Sequence, residues 1–164
     1  VIGDAGTGSS EQAAVRDAGR ILDAAKAAGL SKLDHVIITH WHGDHFGGLE
    51  ELASHIPIGE FIDHGPNVQP AENVDAFLKN VYPKLYAKSK HTVAKPGDKI
   101  SLGGVDVRVV SAAGEFIKSP LPGHKLSDNF FPNHIIFQQG KTHPLILGIN
   151  DFAESLEGFG VVVD

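Results

Sequence analysis

The residues best equipped for chemistry stand close together. Between Thr39 and Gly48 the chain reads T-H-W-H-G-D-H-F-G-G, so His40, His42, Asp44 and His45 fall within six positions. Neutral imidazoles and carboxylates are ligands that zinc and its first-row neighbours accept, which makes these four candidate metal ligands. The 164 residues include no cysteine. A metal centre must therefore use nitrogen and oxygen, and disulfides, thiolate ligands and a cysteine nucleophile are excluded together. The chemistry such a set supports is hydrolysis, because a bound cation brings the pKa of water from about 15.7 towards 7 and polarises the bond under attack.

The spacing restricts the backbone that carries these groups. On a helix, at about 100° per residue, the four side chains would point roughly towards 0°, 200°, 40° and 140°, and no single face would gather them. On a strand, positions 40, 42 and 44 would share one face and 45 would oppose them. A loop that starts extended and curls into a helix start can present two pairs, His40 with His42 and Asp44 with His45, to two points about 3.5 to 4 Å apart, which suits two metal ions. Just before it, Val36-Ile37-Ile38 is apolar at three consecutive positions, as in a strand covered on both faces, here Asp34 to Thr39. Open α/β sheets place their sites at the carboxyl end of such a strand.

The pattern H-x-H-x-D-H-x-G-G resembles the signature of the metallo-β-lactamase superfamily of metallo-hydrolases. Val1-Ile2-Gly3-Asp4-Ala5-Gly6 is similar to the strand end that lies beside the metals in that family. Lys95 to Val110 is similar to a hairpin of its competence-protein-like branch. The resemblance implies an α/β fold, an αββα-type sandwich of mixed β-sheets with flanking helices, with residues 1–164 as one partial domain. It implies two zinc ions, with manganese or iron as alternatives, and hydrolysis by metal-bound hydroxide, with Asp44 as the catalytic residue holding the second metal and the attacking water.

The same resemblance extends the ligand set. Pro122-Gly123-His124 is similar to the turn that supplies a third histidine to the first metal. Family members end a later strand in Gly-Asp, with the aspartate bridging both metals, whereas here Leu147-Gly148-Ile149-Asn150-Asp151 puts Ile149 at that position. A small insertion restores Asp151 to the bridge; otherwise Asp151 is a helix N-cap for Phe152 to Leu156. The family's last histidine ligand has no counterpart before Asp164, so it lies beyond this stretch or is lacking.

Around these groups the chain alternates helix and strand. Ser9 and Gln12 fit a capping box; Val15, Ala18, Ile21, Leu22 and Ala25 form a helical core stripe, and Gly29 stops it. Leu49 to Ser54 reads as a short helix and Gly59 to Asp63 as the next strand, a strand-helix-strand crossover. His64 follows at the equivalent place to His40, and reads either as a residue lining the site or as a turn residue before Gly65-Pro66. Pro70 to Ala87 has helical spacing that Pro83 must kink or divide. Lys99 to Leu102 and Val105 to Val110 form a hairpin read as sheet edge, residues 111 to 133 a long loop, and His134 to Gln139 with Pro144 to Leu147 a second hairpin.

A net charge of −6 disfavours extended nucleic-acid binding, which draws on phosphate neutralisation by Lys and Arg. Lysines 79, 84, 88, 90, 95 and 99 cluster in one segment, read as a solvated face. No run of about 18 apolar residues marks a membrane span and no signal peptide is visible, so the expectation is a soluble protein of the cytoplasm or periplasm. The expected substrate is a small or short phosphodiester, or another phosphate ester. An ester, thioester or lactam is the alternative, and a non-catalytic metal-binding domain of the same fold is the rival from another class.

Overall fold

The computed structural model describes residues 11–69, 71–102, 105–118 and 136–139, and the chain falls into two units, Val1–Val93 and Ala94–Asp164. In the first unit, helix α1 (Glu11–Ala27) buries Ala18 and Ala25 and half-buries Ile21 and Leu22. Val15 is 49% exposed, so the covered part of the expected stripe begins only at Ala18. The helix stops as a Schellman turn: Gly29, at φ +71°, donates to the Lys26 carbonyl and Leu30 N–H reaches back to Ala25, each at 2.9 Å. Ser9 lies outside the described residues.

Strands β1 (Leu33–Ile37), β2 (Ile58–Asp63) and β3 (Lys90–Val93) form a parallel sheet in that order. His35 pairs with Glu60 and Ile37 with Ile62 across β1 and β2, and Asp63 pairs with Val93 across β2 and β3. Parallel neighbours need crossovers. The first is made by α2 (Gly43–Phe46) and α3 (Leu49–His55), the second by α4 (Glu72–Asn80) and α5 (Tyr82–Leu85). Pro83 divides the second as expected, and sits in the first turn of α5, where its missing N–H has no helical partner to lose. Val36, Ile37, Ile38, Phe61 and Ile62 are all buried, the burial of both sheet faces that the apolar run implied.

Strand β3 was not expected from the sequence. Its residues Lys90-His91-Thr92-Val93 look like part of a solvated lysine face, but Lys90 and Thr92 close on Glu60 of β2, at 2.7 and 2.6 Å, and His35 of β1 adds a contact at 2.9 Å. Burial alone would raise the Glu60 pKa; hydrogen bonds from Lys90 and Thr92 outweigh it and hold the carboxylate below its usual range. One polar row therefore ties all three strands.

In the second unit, β4 (Lys99–Leu102) and β5 (Val105–Ala112) pair antiparallel, with Lys99 opposite Arg108. Val107 and Val109 are buried and Arg108 is exposed, the expected alternation. The reading of this hairpin as sheet edge is corrected for β5, which also pairs with β7 (Ile136–Gln139) and with β6 (Glu115–Phe116). The long loop also begins later than position 111: Ser111 and Ala112 extend β5, and Ala113 (φ +49°) with Gly114 (φ +82°) turns the chain into β6. The hairpin partner at 144–147 lies outside the described residues. Helices and sheets together make the α/β class expected. Among the described residues no helix is long and apolar enough to cross a membrane.

Candidate metal centre

The four clustered candidates stand where β1 runs out. Ile38 N–H still bonds to the Ile62 carbonyl at 2.8 Å, extending the ladder one step past β1, and the chain then leaves the sheet. His42 keeps an extended backbone (φ −87°, ψ 144°) and is the N-cap of α2, which starts at Gly43. Extended chain thus curls into a helix start within the motif, the backbone form that can present its side chains in pairs.

The turn gathers the imidazoles. The His40 ring lies 3.8 Å from that of His45 and 4.6 Å from that of His42, centre to centre. Asp44 Oδ2 is 3.4 Å from His45 Nε2, with the Asp44 side chain half exposed at 50%. Asp44 and His45 therefore stand together, but His40 sits between His42 and His45 rather than with His42 alone. His42 Nε2 meets Gln69 Oε1 at 2.6 Å, and Thr39 Oγ1 lies 3.2 Å from His40 Nδ1. Among the described residues no group of three such side chains already surrounds one point in a form ready for a cation. The fit to a metal rests instead on donor chemistry and on ring convergence: three imidazoles and a carboxylate, without thiolate, in one turn. His124 and Asp151 lie outside the described residues.

His64 is 2% exposed, and among the described residues neither of its ring nitrogens has a hydrogen-bond partner. Burial lowers its pKa, against the opposing pull of the Asp63 charge, so the ring is held neutral. Its ring is 6.0 Å from that of Trp41, the residue between His40 and His42. The plain turn-residue reading does not account for a buried imidazole with two unmet nitrogens.

Sequence reasoning missed the groups behind the loop. Asp63 is 1% exposed and satisfied on both oxygens. Oδ1 accepts the Gly65 N–H at 2.6 Å; Oδ2 accepts the Tyr82 hydroxyl at 2.6 Å and faces His91 Nε2 at 2.7 Å. Burial first, then the Asp63 charge, push the Tyr82 hydroxyl far above its ordinary pKa, so it stays a donor. Trp41 Nε1–H donates to the Gly65 carbonyl at 2.7 Å. Nothing in the spacing of Asp63, Tyr82 and His91 marks them as partners. The one available signal was a carboxylate at the end of an otherwise apolar strand.

The fold is that of an α/β domain, and comparison with known proteins makes its class specific. The metallo-beta-lactamase superfamily model matches residues 1–124, and the chain belongs to that superfamily, whose members are generally metal-dependent hydrolases and typically bind metal ions, often zinc. It is 52% identical over 133 residues to the lactamase-like protein nscB of Arthroderma gypseum, covering 81% of this chain and 31% of that protein. It is 26% identical over 132 residues to the lactamase-like protein vrtG of Penicillium aethiopicum, covering 80% and 31%. A hydroxyacylglutathione hydrolase of Rhodopseudomonas palustris is 30% identical over 83 residues, 51% of this chain and 26% of that enzyme. The chain thus spans about three tenths of the length of the curated relatives it matches.

Proposed function

We propose that this protein is a metal-dependent hydrolase acting on a thioester or related activated carbonyl substrate. The observation that carries the hydrolase reading is the convergence of the His40, His42 and His45 rings at the end of a buried parallel strand, with Asp44 beside them. In this reading His40, His42, Asp44 and His45 would hold the metal, zinc in the first instance, and the family resemblance adds His124 and Asp151 as candidate ligands. A metal held there would supply an activated water and a Lewis acid for the scissile carbonyl. Asp44 accepts a hydrogen bond from the attacking water and orients it.

The substrate class is supported by the similarity to a hydroxyacylglutathione hydrolase. A net charge of −6 also suits a small substrate better than a long polyanion. A phosphate ester is the second reading, supported by the similarity of residues 95–110 to the competence-protein-like hairpin. Metal analysis of the protein and of His42→Ala and Asp44→Ala, with a panel of chromogenic thioester, phosphodiester and lactam substrates, tests both. The expected result is bound metal that falls in both variants and thioester turnover that falls with it. Unchanged metal content in both variants eliminates the site, and turnover of the phosphodiester alone selects the second reading.

A further inference from the structure

The loop lacks a side-chain cap at its helix starts: His42, before α2, makes no capping hydrogen bond through its side chain, and Gly48, before α3, has no side chain to offer one. What fastens it is Trp41, between the first two histidines. Its indole is 3% exposed and packs edge-on against Tyr82, with ring centres 5.1 Å apart. Its N–H ends on the Gly65 carbonyl at 2.7 Å. Gly65 is in turn fixed by its own N–H, which Asp63 Oδ1 holds at 2.6 Å. Its φ of +85° strains any other residue there, and a Val93 methyl 3.0 Å from where a Cβ would stand would have to give way as well. Asp63 itself is held by Tyr82 and His91.

We infer that Asp63 and Trp41 are positioning residues of the metal centre: the Asp63 carboxylate sets the Gly65 peptide, the peptide sets the Trp41 indole, and the indole sets the placement of His40 relative to His42. The inference rests on the metal-site reading above. The arrangement follows from geometry. A side chain between two ligands, pinned at its far end by one hydrogen bond and along its edge by an aromatic ring, leaves the backbone at position 41 little freedom to rotate. Tyr82 serves both ends, as donor to Asp63 and as packing partner of Trp41, so clamp and indole move together. Groups that orient ligands from behind commonly change metal affinity by about 10- to 100-fold when removed.

The chain has one tryptophan, so a ¹⁵N-labelled sample gives a single indole N–H resonance that reads the relay directly. In the metal-free protein, Asp63→Asn should shift that resonance and speed its exchange with solvent. Zinc affinity, measured by competition with a chromophoric chelator, should fall about tenfold in Asp63→Asn and in Trp41→Phe, which keeps the ring and loses the N–H. The double variant should bind no more weakly than the weaker single, since both changes break the same chain of contacts. Should Asp63→Asn not fold, Tyr82→Phe takes its place in the cycle. If the wild type binds no zinc, the metal-site reading and this inference fall together. If it binds zinc and both single variants stay within about twofold, or the two losses multiply independently, the relay alone is overturned.

Discussion

His64 links burial to pH in a way that stability measurements can read. Its ring is buried, its nitrogens have no hydrogen-bond partner among the described residues, and its pKa is lowered from the ordinary value of 6.5, first by burial. The folded protein therefore holds this imidazole neutral at a pH where the unfolded chain has begun to protonate it. Because the unfolded state binds more protons in that interval, stability rises with pH there. The contribution of the neutral ring is whole above the unfolded value and is lost as pH falls from there through the lowered folded value. Between about pH 7.5 and 5.5 the unfolded chain gains close to one proton at this position, so the loss through His64 alone is at most about 1.4 kcal/mol. With a urea slope of about 2 kcal/mol per molar, the midpoint should move down by up to about 0.7 M. The assay is urea unfolding of the metal-free protein and of His64→Gln at both pH values. Other histidines titrate in both proteins, so the quantity to compare is the difference between the two midpoint shifts. A variant that loses as much stability on acidification as the wild type would refute the reasoning.

Two further substitutions test the frame. Gly59→Ala in β2 places a methyl 2.9 Å from the Asp34 carbonyl oxygen of β1; backbone cannot step aside cheaply, and thermal unfolding should show a loss of about 1–3 kcal/mol. Phe61→Ala empties a fully buried position in the middle of the sheet and should cost about 3–5 kcal/mol by chemical denaturation, with Leu52→Ala on α3 losing about 2–5 kcal/mol by the same assay.

What the sequence made legible was whatever repeats or clusters along the chain. Three consecutive apolar residues at Val36 to Ile38 announced a doubly covered strand. Four potential ligands in six positions announced the turn that follows it, and Pro83 announced the break between α4 and α5. Features that depend on partners distant in sequence were not legible. Strand β3 is hidden because Lys90 and Thr92 satisfy Glu60, 30 and 32 residues earlier, so polar residues do there what apolar ones usually do in a strand. Asp63, Tyr82 and His91 are 19 and 28 residues apart along the chain, and only the fold reveals them as one buried cluster. His64 could be read either way because a histidine before Gly-Pro carries no mark of burial. Val15 belongs to the apolar pattern of α1 yet stands exposed, since periodicity gives a direction and not the extent of what covers it.

The motif occupies the very connection that carries the chain from β1 over to β2, and Leu49 and Leu52 lock α3 of that connection into the core. Adding or removing one residue inside α3, between Leu49 and Leu52, would turn one of those leucines by about 100° relative to the other and take it out of the core. Changes of length are thereby steered away from this connection, towards segments whose length the interior does not dictate.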